Sequence, residues 1–103
     1  MNTWTLEGEL IYFGDIVRGG EHQGGRIKIK TAFQRKGEFT SQITEVSCVI
    51  LPRDWEELKS KLIPYSRINV SGHFETWIKT RITGNMKDKT KTMHVVDNVI
   101  ILK

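Results

Sequence analysis

One cysteine, Cys48, is all the chain has, so no internal disulfide can hold it together. That favours a reducing, cytoplasmic setting. Long apolar runs are missing as well. The longest aliphatic stretches are VIL (49–51) and VIIL (99–102), far short of a membrane span. The N-terminus, MNTWTLEGEL, has no basic segment followed by a long apolar one, so no secretory signal is expected. Internal repeats and low-complexity tracts are absent. Catalytic and metal-binding spacings are also missing: His22, His73 and His94 are scattered, and the chain has no HExxH, CxxC, GxSxG or phosphate-cradling Gly-Lys-Ser/Thr. His73 and Glu75 share one face of a strand, where a solvated or hydrogen-bonded pair is the expected role. Cys48 falls mid-strand and is expected to be buried and inert. A non-enzymatic protein without cofactor or metal is the expectation.

Two segments have little or no acid. Residues 26–36, RIKIKTAFQRK, carry Arg26, Lys28, Lys30, Arg35 and Lys36 with no Asp or Glu. Residues 76–91 carry Lys79, Arg81, Lys87, Lys89 and Lys91 against Asp88 alone. The rest of the chain has six basic and eleven acidic residues, so a net charge of +4 hides a polarised molecule. Such segregation is the electrostatic footprint of a polyanion binder, although exposed strands and loops often carry lysine for solubility alone.

At 103 residues, with 38% hydrophobic and 27% charged, the chain is one globular domain spanning 1–103. Residues 3–13 alternate Trp4, Leu6, Leu10 and Tyr12 with polar positions, a half-buried strand interrupted at Gly8. GDIVRGGEHQGG, with five of the nine glycines, reads as a loop and includes Arg18. A second strand covers 26–33 and a third about 41–51. PRDWEELKSKLIP predicts a short helix capped by Asp54 with Glu57 in the capping-box position, striped by Trp55, Leu58 and Leu62, and stopped by Pro64. Strands over 67–79 and 92–102 follow.

Three strands, one helix, two strands is the order of a five-stranded Greek-key OB-fold barrel, all-β with one short α-helix between strands 3 and 4. An SH3-like barrel does not usually leave a capped helix at that point, and a ferredoxin-like fold needs two crossover helices. In an OB-fold the loops between strands 1 and 2 and strands 4 and 5 flank the ligand face. The amines of Arg26, Lys28, Lys30 and the 76–91 segment are thus placed to track a phosphate backbone while aromatics stack on bases. Trp77 shares its parity with Lys79 and Arg81 and is the first stacking candidate, an edge contact being the alternative; Phe33 and Phe39 are weaker ones. Of Tyr12 and Phe13, one must face in and the other out. Trp4 is read as core or subunit interface, Trp55 as core, and Tyr65 as packing.

The chain resembles the bacterial and phage single-stranded DNA-binding proteins, including the primosomal replication protein N type. The likeness lies in LEGEL at the start, in EVSCVILPRDWEELKSKLIPYSRINVSGHF, and in the closing VVDNVIIL. It departs from the family where Pro64-Tyr65-Ser66 replaces the usual Gly, and where Ser47 and Cys48 stand near the usual strand-3 aromatic. The resemblance implies largely sequence-independent binding of single-stranded DNA, with RNA as a variant, in replication, recombination or repair. It further implies a homodimer or tetramer, partner replication or recombination proteins, and no membrane. With ILK at its end the chain is expected to lack the family's acidic tail, as in a phage, plasmid or accessory form. The alternative is an OB-fold interaction module or accessory subunit.

Overall fold

A computed structural model of the chain describes residues 2–33, 37, 42–79 and 89–102. Its elements are β1 (Trp4–Arg18), β2 (Glu21–Phe33), β3 (Gln42–Ile50), α1 (Pro52–Lys59), β4 (Arg67–Lys79) and β5 (Lys89–Leu102). The strands close a barrel in the order β1-β2-β3-β5-β4. β1 is long enough to serve two neighbours. Trp4–Glu9 pair with β4, and Glu9–Arg18 pair with β2. Closure comes from a parallel bridge between Val49 of β3 and Val95 of β5.

The alternating apolar residues fill the interior as the sequence predicts. Leu10, Ile27, Ile29, Cys48, Ile50, Ile68 and Val70 are fully buried. Burial pushes the Cys48 thiol up to about 12, so it stays a neutral thiol at any ordinary pH. Trp55, Leu58 and Leu62 cover one end of this core. No described helix is long and apolar enough to cross a membrane.

Three local expectations are corrected. The glycine-rich stretch 14–25 is not a loop: it is the paired ends of β1 and β2, with Arg18 opposite Glu21. Only Gly19 and Gly20 turn, at φ 59° and 81°, and two successive positive φ values make the tight two-residue turn that matches strand twist. The helix starts one turn earlier than expected, after Leu51, with Pro52 in its first turn and Asp54 already inside. Proline's fixed φ suits that first turn, where its missing N–H is not needed. The helix also ends at Lys59 rather than at Pro64. Leu62 still reaches the core because the chain continues in tight turns, Lys61 N–H to Leu58 O and Leu62 N–H to Lys59 O.

Bulges decide which faces are seen. A register shift between Leu10 and Tyr12 turns Tyr12 outward, 48% exposed, and Phe13 inward against the core. Tyr12 therefore leaves the face that it shares in sequence parity with Trp4, Leu6 and Leu10. A second shift, between Ser71 and Gly72, lets Val95 and Val96 both be buried on β5. Gly8, by contrast, is regularly paired with Ile68 and no bulge is needed there; a Cβ would run into the Lys30 carbonyl. β1 starts opposite Gly72, and beyond the His73–Val95 pair β4 and β5 run on as two paired strands to Lys79 opposite Lys89. Lys89 and Lys91 therefore belong to β5 rather than to a loop.

Candidate nucleic-acid interface

Because Ile27 and Ile29 point into the barrel, strand alternation turns Arg26, Lys28 and Lys30 to its outer face. Their ladder neighbours set the character of that face. Arg26 lies between Gly14 and Val49, and its Nη1 donates to Ser47 Oγ at 3.4 Å. Lys28 lies between Tyr12 and Ser47, with Nζ 5.6 Å from the Tyr12 ring centre. Lys30 lies between Glu9 and Glu45, so the positive field fades toward that end of the strand.

Two adjoining grooves cross this face. One, of about 230 Å³, runs from Ile16 and Arg18 past Gln23 and Arg26 to Leu51, Pro52 and Met93. The other, of about 100 Å³, runs from Arg26 and Ser47 to Lys91 and His94. Arg26, Val49 and Met93 line both, so they form one track. Arg18, Arg26 and Lys91 supply cations along an apolar floor of Val49 and Met93. Two glycines bring its walls together. Gly24, at φ 86°, and Gly25 pass so close to the start of α1 that a Cβ would clash with the Ile50 carbonyl at one and the Trp55 ring at the other. Behind that wall the Trp55 indole N–H donates to the Asp15 carboxylate, and Lys59 Nζ lies 3.4 Å from the same oxygen. That hydrogen bond first, and the Lys59 charge next, hold the Asp15 carboxyl below its usual range.

The structure thus brings Arg18, Arg26, Lys28 and Lys91 to one side, and puts Lys30 on the same face among acidic neighbours. Phe33, Trp77, Lys79 and Lys89 are placed by backbone alone, Phe33 opposite Gln42 and Trp77 opposite Lys91. Arg35, Lys36, Phe39, Arg81 and Lys87 lie outside the described residues. Sequence reasoning missed Val49, Met93, Ile16, Gln23 and His94. Parity offered a signal for Val49, which alternates with Cys48 and Ile50. Nothing local pointed to Met93, which reaches the groove through the β3–β5 bridge.

Between β4 and β5, His73 Nδ1 lies 2.8 Å from Asp97 Oδ2 and Nε2 lies 2.6 Å from Glu75 Oε2. The expected hydrogen-bonded pair is there, with a second carboxylate added. Only the protonated imidazole can donate from both nitrogens. The Asp97 hydrogen bond first, then that of Glu75, raise the His73 pKa above 6.5. The stabilisation is therefore fully present below about pH 6.5 and is lost as pH rises through the folded-state pKa. The difference in melting temperature between the wild type and His73→Gln should shrink between pH 6 and pH 9. A pH-independent difference would contradict the double contact. Among the described residues, no group of three or more His, Cys, Asp or Glu is placed to hold a metal ion.

No family model matches the chain, and no curated protein matches it in sequence. Among solved structures it is similar to the Plasmodium falciparum SSB in complex with ssDNA, with TM-score 0.67 and 19% identity over 100% of this chain and 96% of that one. It is also similar to Rim1, a mitochondrial single-stranded DNA binding protein of S. cerevisiae, with TM-score 0.57 and 14% identity over 98% and 94%. The barrel order, the helix between β3 and β4 and these two likenesses agree: this chain is an OB-fold of the architecture found in single-stranded DNA-binding proteins.

Proposed function

We propose that this barrel binds single-stranded DNA, largely without regard to sequence, along the track from Arg18 through Arg26 to Lys91. The observation that carries this reading is the pairing of cations with an apolar floor in one groove. Phosphates need the first and unpaired bases the second. A duplex, with its bases stacked and paired inward, would leave the part-exposed Met93 uncovered. The two structural neighbours, one solved with ssDNA and one described as binding it, support the same ligand. Sequence independence follows from contacts to charge and to base faces rather than to base edges.

Under this reading the protein is not an enzyme; it shields or presents single strands during replication, recombination or repair in a reducing compartment such as the cytoplasm. One OB-fold spans only about 4–16 nucleotides, so assembly into a homodimer or tetramer would lengthen the covered strand. The cations and rings of the segments around Arg35, Lys36 and Phe39, and around Trp77, Lys79, Arg81, Lys87 and Lys89, would add further contacts to the strand. Fluorescence anisotropy of labelled oligo(dT) at low salt tests the reading. Binding is expected to survive an excess of unlabelled duplex and to be competed by unlabelled oligo(dT). Equal competition by duplex would sink the single-strand reading, and competition by oligo(U) alone would reassign the ligand to RNA.

A further inference from the structure

The described lining of the Arg26 groove contains no Phe, Tyr or Trp ring, yet exposed rings stand immediately beside it. Tyr12 lies on the outer face of β1 between Lys28 and Gly14. Its phenol end is laid along the sheet over Gly14, where a Cβ would come within 2.6 Å of Oη. Gly14 has no positive φ, so what glycine supplies there is space for the ring. Lys28 sits 5.6 Å from the ring centre, and Arg26, opposite Gly14, lines both parts of the groove. Half of Tyr12 remains exposed.

A second ring continues the line. Tyr12 shares a groove of about 290 Å³ with Ile11, Phe13, Pro64 and Tyr65. Tyr65 is the one non-glycine residue at positive φ among those described, at 62°, and its side chain is 73% exposed. Its backbone N–H donates to Leu10 O at 2.8 Å, and Leu10 N–H donates to Ser66 O at 2.9 Å, which pins the strained residue to β1. A left-handed tyrosine costs conformational energy that an exposed ring does not repay by burial. The backbone is fixed at this point while the ring stays open to solvent.

We infer that Tyr12 and Tyr65 form a stacking platform for unpaired bases, so that a strand leaving the Arg26 groove crosses β1 past Lys28 toward Pro64. This rests on the single-strand reading of the groove. An aromatic face takes any base, and the neighbouring lysine takes the phosphate between successive bases.

The test is oligo(dT) affinity of the full chain carrying Tyr12→Ala, Tyr12→Phe or Tyr65→Asn, with Arg26→Ala alongside, and thermal melting of each. Tyr12→Ala should weaken binding about tenfold at an unchanged melting temperature, while Tyr12→Phe, which keeps the ring, binds like the wild type. Tyr65→Asn should weaken binding and melt no earlier than the wild type, since Asn accepts the left-handed conformation. Photo-crosslinking with 5-iododeoxyuridine oligonucleotides should place adducts on Tyr12 or Tyr65. Normal affinity for Tyr12→Ala and Tyr65→Asn, with Arg26→Ala weakened, would overturn the platform and leave the groove reading intact. The same result with a change in sedimentation would make this surface a contact between copies of the chain. No binding by the wild type would remove both readings together.

Discussion

Replacing Arg18, Arg26 and Lys91 together by Ala should reduce oligo(dT) affinity about a hundredfold at low salt, on the order of 1 kcal/mol for each lost charge contact. All three line the continuous groove, and none contributes a side chain to the core. The loss should therefore come with a melting temperature close to that of the wild type. Each neutralised phosphate contributes about −0.7 to the log–log slope of affinity against salt, so the triple variant should also have a slope shallower by about 2. The control is Lys30→Ala. Lys30 is on the same strand face but stands between Glu9 and Glu45, and its removal should change affinity far less. If Lys30→Ala weakened binding as much as Arg26→Ala, the strand would be following the whole of β2 rather than the groove.

The second large effect is on stability. Trp55→Ala should lower the melting temperature by about 15–30 °C, from a loss of about 3–5 kcal/mol in a domain of this size. Trp55 is 2% exposed, joins α1 to the barrel core, and lies over Gly25, which has no side chain to interfere. An eight-residue helix has little stability of its own, so its attachment depends on this contact and on Leu58 and Leu62. Trp55→Phe separates the two roles of the side chain. It keeps much of the burial and removes the N–H that holds Asp15. The Asp15 contribution is present above its unfolded pKa, near 3.8, and is lost as pH falls through its lower folded value. The deficit of Trp55→Phe relative to the wild type should thus be smaller near pH 3 than at pH 7. A melting temperature for Trp55→Ala within a few degrees of the wild type would mean that the helix is not fastened by this residue.

Much of the fold is legible in the chain because the strongest signals are local. Period-two alternation at Ile27 and Ile29 or Ile68 and Val70, and the Trp55–Leu58–Leu62 stripe, each report a buried face directly. Element order then leads to the barrel. What is not legible are places where an alternation is broken or where glycine acts for a reason other than flexibility. Gly14, Gly24 and Gly25 look like loop residues, yet they sit within long strands and make room for Tyr12, the Ile50 carbonyl and Trp55. The bulge at Ile11 reverses the facing of Tyr12, and no residue there announces it. The site divides in the same way. Arg26 and Lys28 are readable from parity on one strand. Met93 and Lys91 join them only because Val49 and Val95, far apart in sequence, meet in the parallel bridge that closes the barrel.

Salt dependence of oligo(dT) binding by the unmodified chain tests the central claim most directly. Arg18, Arg26 and Lys91 line the groove and Lys28 stands beside Arg26 on the same strand face, four cations in all, so the plot of log affinity against log salt should be linear with a slope of about −3. A slope near zero, or no measurable binding at low salt, would contradict the account.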